Sequence, residues 1–327
     1  MESTHLKPLL SVESLKKYFA IKKGLLQRTG GYVYAVDGVT FSIQPGETLG
    51  LVGESGCGKS TVGRCLVKLY RPSSGKVLFE GKDISEITGK DLVQFRTDIQ
   101  MIFQDPYSSL NPKQRVRNII GEALKVHGLV DSGTWQDRVR ELLVEVGLSP
   151  DHMVRYPHEF SGGQRQRIGL ARALAMTPKL LVADEPVSAL DVSVQAQVVN
   201  ILEDLKDKHH LSYLLIAHDM AVIEHMSDRI AVMYLGRIVE MGSDEQICLN
   251  PKHPYTVNLL EAVPKAEAGV YKRHHRALKG DVPSPIEPPS GCHFHPRCPK
   301  AMKICGMEKP ELREIETGHQ VGCHLFT

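Results

Sequence analysis

One short run of residues constrains the fold of this chain more than any other. Residues 53–60 read G-E-S-G-C-G-K-S, which fits the pattern G-x-x-x-x-G-K-[ST]. In this pattern, backbone N–H groups of a glycine-rich loop surround nucleotide phosphates, and the lysine reaches the terminal oxygens. The apolar run Thr48–Val52 enters the loop as a buried strand would, and a helical pattern follows over Ser60–Leu69. This order predicts an α/β fold built around a phosphate-binding loop.

The residues of this loop have distinct expected roles. Its glycines permit backbone conformations that point N–H groups inward, and the positive end of the next helix begins near Lys59. Lys59 is expected to contact the terminal phosphates, and the Ser60 hydroxyl is expected to bind Mg²⁺. The predicted nucleotide contacts are Gly53, Glu54, Ser55, Gly56, Cys57, Gly58, Lys59, Ser60 and Thr61.

A second motif supplies acidic groups. The apolar strand Leu180–Ala183 is followed by Asp184, Glu185 and Pro186. A carboxylate at the exit of a buried strand can bind Mg²⁺, and its neighbour can orient a water molecule for in-line attack on a phosphate. We therefore predict that Asp184 is a Mg²⁺ ligand and that Glu185 activates the water, while Pro186 ends the strand.

A third motif lies at a predicted helix start, where residues 161–165 read S-G-G-Q-R. A serine and glycine N–H groups at the N-terminus of a helix form a favourable position for an anion. This run is predicted to be a second phosphate-binding group, formed by Ser161, Gly162, Gly163 and Gln164.

The pattern of strands and helices predicts an α/β core with an antiparallel strand layer near the N-terminus. Strands are expected over Leu9–Leu15 and Val33–Ile43, with a turn at residues 30–31, and helical patterns prevail between Phe103 and Leu180. The expected divisions are a main domain over residues 1–262, a helical insertion over about 105–178 within it, and a proline-rich linker with a cysteine-bearing extension over 263–327.

Charge and hydropathy limit the possible partners. The 40 basic and 38 acidic residues nearly balance, which argues against a nucleic-acid surface. The chain has no run approaching the ~20 consecutive apolar residues that a membrane-spanning helix needs. Its first residues also lack the basic-then-apolar pattern of a signal peptide. We expect a cytoplasmic protein that contacts membranes only through partner subunits.

The three motifs, in this order on one chain, resemble the nucleotide-binding subunit of an ATP-binding-cassette (ABC) transporter over residues 9–262. The resemblance implies ATPase activity and adds two catalytic residues. Gln104 opens the segment Gln104–Pro112 and would reach Mg²⁺ or the attacking water. His218 would contact the γ-phosphate and hold Glu185.

The same resemblance implies a head-to-tail dimer. Each ATP would lie between the Gly53 loop of one chain and the Ser161 run of the other, and Ser188–Asp191 would join the two sites. Tyr18 resembles the aromatic residue that stacks on adenine, with Phe19 as the alternative. A soluble ABC protein of DNA repair or translation is disfavoured, because the chain has neither a long coiled-coil insertion nor a second cassette.

The C-terminal part narrows the resemblance. His253–Thr256, Leu259, Leu260 and the proline-rich run that ends at Gly291 and Cys292 are similar to the extension of dipeptide and oligopeptide importer ATPases. The similarity is close for the second ATPase subunit of dipeptide importers, although nickel and oligosaccharide importers share the architecture. It implies a similar but non-identical ATPase partner, two transmembrane permease subunits, an extracytoplasmic substrate-binding protein and a peripheral position on the cytoplasmic face of the membrane.

Four cysteines crowd the last thirty-six residues, with the spacing C-x5-C-x6-C-x17-C. A cytosolic compartment disfavours disulfides, and the spacing alone leaves zinc and an iron–sulfur cluster open. The family resemblance favours a [4Fe–4S] cluster of structural role, with Zn²⁺ as the alternative. Nearby histidines are expected at the surface, and the extension is expected to be chemically independent of the Gly53 loop. The predicted metal ligands are Cys292, Cys298, Cys305 and Cys323.

Overall fold

The computed structural model describes residues 7–23, 28–105, 109–129, 134–188, 190–262 and 281–327. The chain divides into two compact units. The first unit contains Met1–Ile43, Thr48–Ser85 and Ala217–Thr327, and the second contains Gln44–Glu47 and Glu86–Ile216. Within the described ranges, none of the helices is both long enough and apolar enough to cross a bilayer.

The strands and helices of the described residues are named in chain order. The strands are β1 (Leu10–Lys23), β2 (Arg28–Ile43), β3 (Thr48–Val52), β4 (Ser74–Phe79), β5 (Lys82–Asp83), β6 (Ile99–Ile102), β7 (Leu180–Asp184), β8 (Ser212–Ala217), β9 (Arg229–Tyr234), β10 (Arg237–Ser243), β11 (Arg313–Glu316) and β12 (His319–Val321). The helices are α1 (Lys59–Leu66), α2 (Gly89–Asp98), α3 (Val116–Val126), α4 (Trp135–Glu145), α5 (Gly162–Leu174), α6 (Val192–His209), α7 (Met220–Met226), α8 (Asp244–Leu249) and α9 (Pro254–Glu261).

The first unit contains the predicted antiparallel layer, in the order β2-β1-β4-β5. The prediction of this layer is confirmed, but its first two strands are longer than expected. The expected turn at residues 30–31 was wrong, because Gly31 lies within β2 opposite Ile21 of β1. Beyond the glycines the ladder continues after a register shift, with Lys22 opposite Thr29 and Lys23 opposite Arg28.

A second set of strands in the same unit carries the phosphate loop and the C-terminal extension. Strand β3 pairs in parallel with β9, β9 pairs antiparallel with β10, and β10 pairs antiparallel with β12. All five residues of β3 are buried, as the apolar run predicted. The extension therefore contributes its own strands, β11 and β12, to the unit that contains the Gly53 loop.

The second unit contains the parallel strands β6, β7 and β8 and the helices α2 to α6. Strands β7 and β8 are buried along their whole length, which fits their nearly uninterrupted apolar sequences. Helices α3, α4 and α5 lie between Phe103 and Leu180, where helical patterns were predicted. Helix α2 was missed, because only Phe95, Thr97 and Asp98 of its ten residues are buried and its apolar periodicity is weak.

Candidate nucleotide-binding site

The Gly53 loop depends on glycine at two positions. A Cβ atom on Gly53 would lie 2.1 Å from the backbone oxygen of Met233, and one on Gly58 would lie 2.0 Å from the backbone oxygen of Ala35. Gly58 also has a φ of 109°, in the region that favours glycine. Because both neighbours are backbone atoms of adjacent strands, any side chain would push the loop out of position.

Lys59 is buried at the start of α1 and is held by the loop itself. Its Nζ donates to the backbone oxygens of Gly53 at 2.7 Å and of Glu54 at 3.2 Å. A buried ammonium group needs such partners. The ammonium group of Lys59 therefore lies inside the loop, and its contact with phosphate oxygens stays a prediction.

Glu54 is fixed at both its side chain and its backbone. Arg297 forms a bidentate ion pair with its carboxylate, with nitrogen–oxygen distances of 2.7 and 3.1 Å. The backbone N–H of Glu54 donates to the hydroxyl of Tyr255 at 2.9 Å. Bidentate arginine–carboxylate pairs fix orientation as well as charge. The expected independence of the extension from the Gly53 loop was therefore wrong, since Arg297 belongs to the extension.

Three aromatic side chains pack beside the contact between Glu54 and Arg297. The rings of Tyr234, Tyr255 and Phe294 lie with centroids 4.7 to 5.4 Å apart, and all three side chains are buried. His253 packs against Phe294 at 5.7 Å and accepts a hydrogen bond from the backbone N–H of Tyr255 through its Nδ1. The cluster joins β9, the start of α9 and the extension, which explains why an aromatic residue follows the His253-Pro pair.

A fully buried carboxylate anchors the extension a second time. Glu240 accepts hydrogen bonds from the backbone N–H groups of Lys252 and His253 and from the Nε2 of His319, the last at 2.8 Å. The predicted surface position of the tail histidines was wrong for His319, which is completely buried, and for His293, whose Nδ1 lies 3.1 Å from the backbone oxygen of Leu235. The pairing of β12 with β10 encloses His319 beside Glu240.

The antiparallel layer holds Tyr18 through a charged cluster. The Tyr18 hydroxyl donates to Asp37 at 2.6 Å, its ring meets Tyr34 edge-on at 4.8 Å, and Arg237 also binds Asp37. Burial opposes ionisation of Asp37, but the hydrogen bonds from Tyr18 and Arg237 lower its pKa to about 2. Phe19 packs instead against Tyr70. Whether Tyr18 or Phe19 stacks on adenine stays a prediction.

In the second unit, the predicted catalytic carboxylate lies at the end of β7. Asp184 is 1% exposed, while Glu185 is half-buried with a φ of 48°, a strained backbone conformation for a side chain of this kind. Its N–H donates to the backbone oxygen of Ile216 at 2.8 Å, which fixes this conformation. Strain of this type is characteristic of functional positions.

Gln104 and Glu185, both predicted as catalytic residues, are in contact. The Nε2 of Gln104 donates to a carboxylate oxygen of Glu185 at 2.6 Å. Gln104 is exposed after β6, and the rest of its predicted loop includes residues 106–108, which lie outside the described residues. His218, which follows β8, is also exposed. The roles of these residues, and the shared Mg²⁺ site of Ser60, Asp184 and Gln104, stay predictions.

The Ser161 run begins α5 with a reciprocal cap. The N–H of Gln164 donates to the Ser161 hydroxyl at 3.4 Å, and the N–H of Ser161 donates to the Gln164 side chain at 3.1 Å. A Cβ atom on Gly163 would lie 2.3 Å from a methyl carbon of Val194 on α6. Ser161 itself is exposed. The predicted segment Ser188–Asp191 includes Ala189, which lies outside the described residues.

The four cysteines of the extension are neighbours. Cys292 donates its N–H to the backbone oxygen of Cys305 at 2.7 Å. Burial is the largest cause that raises the pKa of Cys323 to about 11, and the other three thiols contribute to the same rise, so all four are close enough to interact electrostatically. In the part of the chain that the structure describes, no three His, Cys, Asp or Glu side chains surround one common ion position.

Sequence reasoning missed Arg297, Tyr234 and Tyr255 as supports of the phosphate loop. Arg297 lies 243 residues from Glu54, so no local spacing connects them. The sequence held one signal for this contact. Arg297 directly precedes Cys298, in a segment otherwise assigned to metal binding, and metal binding gives an arginine no role.

Two protein-family models match this chain. The model for "ABC transporter" matches residues 36–188, and the model for "Oligopeptide/dipeptide transporter, C-terminal region" matches residues 239–305. Among solved structures, the chain is similar to a dimeric post-hydrolysis state of the ATP-binding cassette MJ0796 bound to ADP and phosphate. The TM-score is 0.63 with 25% identity, over 72% of this chain and 98% of that one.

Two relatives match the chain over nearly its whole length. The oligopeptide transport ATP-binding protein AppF of Bacillus subtilis is 51% identical over 100% of both chains. The putative oligopeptide transport ATP-binding protein YkfD of the same organism is 53% identical over 98% of this chain and 96% of its own. The chain is an ATPase with the ABC P-loop fold, and it belongs to the family of ABC transporter ATP-binding proteins that carry the oligopeptide/dipeptide transporter C-terminal region.

Proposed function

We propose that this chain is the ATP-hydrolysing subunit of an ABC importer for di- and oligopeptides. The observation that carries the proposal is the full-length similarity to proteins named as oligopeptide transport ATP-binding proteins. The nucleotide motifs are also unbroken, from Lys59 through Ser161 and Glu185 to His218. The names of the relatives favour peptides over nickel or oligosaccharides as cargo. They also favour a role in transport over a role in DNA repair or translation.

The Gly53 loop supplies the binding step in this proposal. Its N–H groups and the start of α1 bind the phosphates, and Lys59 turns from the carbonyls of Gly53 and Glu54 to the terminal phosphate oxygens. The Ser60 hydroxyl and the Asp184 carboxylate are hard oxygen donors, which fit Mg²⁺. When bound, Mg²⁺ neutralises the negative charge that develops on the phosphates.

Glu185 supplies the hydrolytic step. Its carboxylate orients the attacking water and accepts the proton, while Gln104 holds the carboxylate through the hydrogen bond at 2.6 Å. The Ser161 run binds the phosphates of a nucleotide held by the partner subunit, since a capped helix start with two glycine N–H groups suits an anion. His218 contacts the γ-phosphate.

The partners follow from the family. We infer a heterodimer with a similar ATPase, docked on two transmembrane permease subunits at the cytoplasmic face of the membrane and supplied by an extracytoplasmic substrate-binding protein. ATP-driven closure of the dimer moves the permeases, and hydrolysis resets it. The likeness to relatives named as transport ATP-binding proteins supports a place in a transporter with membrane permeases.

The four extension cysteines are proposed to hold a [4Fe–4S] cluster. A zinc ion binds sulfur at about 2.3 Å, which brings its ligands within about 4 Å of one another. Zn²⁺ stays the alternative, since four cysteine thiolates can hold either group. A cluster of several irons spreads its thiolates further apart, and four mutually interacting thiols fit that donor set. The group would stabilise the extension.

Uptake in cells tests the proposed function. In a strain that lacks this chain, the wild-type gene should restore uptake of a radiolabelled dipeptide. Lys59→Ala should not restore it, because the charge-assisted phosphate contact is worth about 1.5–3 kcal/mol. Arg313→Gln, an exposed substitution in the extension, is the matched control and should restore uptake fully. Restored uptake of nickel or an oligosaccharide, with peptide uptake unchanged, would contradict peptide import.

A further inference from the structure

The contact between Glu54 and Arg297 is built more strongly than a surface ion pair. The Arg297 side chain is 6% exposed and that of Glu54 is 24% exposed. Two parallel hydrogen bonds join them, and the Tyr234 hydroxyl accepts a third from Arg297 at 3.4 Å. A buried arginine of this kind is lost at high cost, because its removal leaves the carboxylate without a counter-charge.

The partner of Arg297 has an unusual place in the chain. Glu54 is the second residue of the phosphate loop, and its backbone oxygen accepts hydrogen bonds from both Lys59 and the N–H of Cys57. Its backbone N–H is held by Tyr255. The groups that fix Glu54 therefore also determine where the loop carbonyls and the resting lysine lie.

Electrostatics add a second effect. ATP brings several negative charges into the loop that contains Glu54, and an unpaired carboxylate there would repel them. Arg297 neutralises this carboxylate. The charge that ATP meets in the loop is then the positive charge of Lys59 and of the backbone N–H groups. The same residue thus favours both the shape of the loop and its attraction for an anion.

We propose that Arg297 is a positioning residue for ATP binding, through which the cysteine-bearing extension keeps the Gly53 loop in its binding conformation and cancels the charge of Glu54. The inference rests on the proposed use of this loop for ATP. Arg297 does not touch the nucleotide; it acts through Glu54. Because Cys298 is the next residue, the loop is coupled to whatever holds the four cysteines.

The test compares MgATP affinity in four variants of the full chain: Arg297→Gln, Arg297→Lys, Glu54→Gln and the double variant of Arg297→Gln with Glu54→Gln. Arg297→Gln should weaken the Kd about ten-fold, because it leaves the Glu54 carboxylate in the loop without a partner, where its charge repels ATP. Arg297→Lys should fall in between, because lysine keeps the charge but not the bidentate geometry.

The double variant carries the decisive result. Removing the stranded carboxylate should return the Kd to within about three-fold of wild type, since a coupled pair is non-additive. The kcat at saturating ATP should stay near wild type in Arg297→Gln while its KM rises. Because Glu54→Gln also relieves any loss of stability caused by the stranded carboxylate, unfolding melts of each variant are needed to separate a folding defect from a binding defect. Arg313→Gln, in the same extension, should bind ATP as wild type does.

The outcomes separate this inference from the proposed site. If Arg297→Gln binds ATP within about two-fold of wild type while Lys59→Ala binds poorly, the inference is overturned and the loop remains the ATP site. If Arg297→Gln is weak and Glu54→Gln gives no rescue, the contact is merely structural and the inference is also overturned. If Lys59→Ala binds ATP normally, the proposed site itself is wrong.

Discussion

The two phosphate-binding runs of this chain are built in opposite ways. The Gly53 loop is held by strands β2 and β9, by helix α9 and by the C-terminal extension, with partners up to 243 residues away. The Ser161 run is capped by its own Gln164, and Ser161 is exposed at the start of α5, although Gly163 is buried against Val194. One is shaped by tertiary contacts and the other by local sequence.

This difference fits the proposed duties of the two runs. A loop that must bind a nucleotide before the dimer closes benefits from being preorganised, because ordering it during binding would reduce affinity. A run that meets the nucleotide only on closure needs an accessible helix start more than a rigid surrounding. The contrast leads to two predictions that separate binding from a later step, and a third prediction tests the buried cluster that supports the Gly53 loop.

The largest effect is expected for Glu185→Gln, which should leave both phosphate-binding runs intact and stop hydrolysis. The amide oxygen can still accept the hydrogen bond from Gln104, so the geometry is kept, but the general base is lost. We expect kcat to fall about 10²- to 10⁴-fold with the Kd for ATP nearly unchanged. Single-turnover hydrolysis and equilibrium binding measure the two separately. Retention of more than a few per cent of activity would remove Glu185 from its role.

The second prediction compares two glycine substitutions. Gly53→Ala places a Cβ atom against a backbone oxygen at 2.1 Å, and backbone cannot move aside, whereas Gly163→Ala meets only the Val194 side chain at 2.3 Å. We expect Gly53→Ala to weaken ATP binding about 100-fold, consistent with displacement of the loop by about an ångström. Gly163→Ala should leave ATP binding to the isolated chain unchanged and lower only the ATPase rate of the assembled transporter.

Gly169→Ala is the control for both substitutions, because its Cβ atom would lie in open space on the same helix as Gly163. Isothermal titration with MgATP gives the binding constants. Equal losses of affinity for Gly53→Ala and Gly163→Ala in the isolated chain would contradict the proposed difference between the Gly53 loop and the Ser161 run.

These local and tertiary parts also differ in how far the sequence predicts them. The capping residues of α5 and the buried strand β7 are encoded within a few positions, so motif and periodicity located them. The Glu54–Arg297 pair and the burial of His319 depend on which strand the extension joins. The pairing of β12 with β10 joins residues that are far apart in sequence. The spacing of residues within the cysteine segment therefore cannot predict it.

The smallest effect concerns pH. Complete burial lowers the pKa of His253 to about 3, from 6.5 in an unfolded chain. As the pH falls below 6.5, the unfolded state binds a proton that the folded state refuses, so stability is lost from there toward pH 3. At pH 5.5 this one group should cost about 1.4 kcal/mol. Urea unfolding at pH 7.5 and 5.5 measures the loss.

His253→Asn keeps a side-chain acceptor for the N–H of Tyr255 and does not titrate, so the variant should lose less stability between the two pH values. His158→Asn, at an exposed position of the second unit, is the control and should behave as wild type. If His253→Asn and the wild type lost the same stability between pH 7.5 and 5.5, protonation of His253 would not be the cause of the loss.

The pairing of β12 with β10 has a further consequence for the chain during synthesis. Residues 237–243 are made long before residues 319–321. Until the extension arrives, β10 is an open edge of the sheet, with unpaired N–H and C=O groups that another chain can bind. The extension closes this edge through Glu240 and Met241, opposite Val321 and Gln320. A chain cut short before β12 therefore carries an aggregation-prone strand, and the C-terminal segment also serves as protection against self-association.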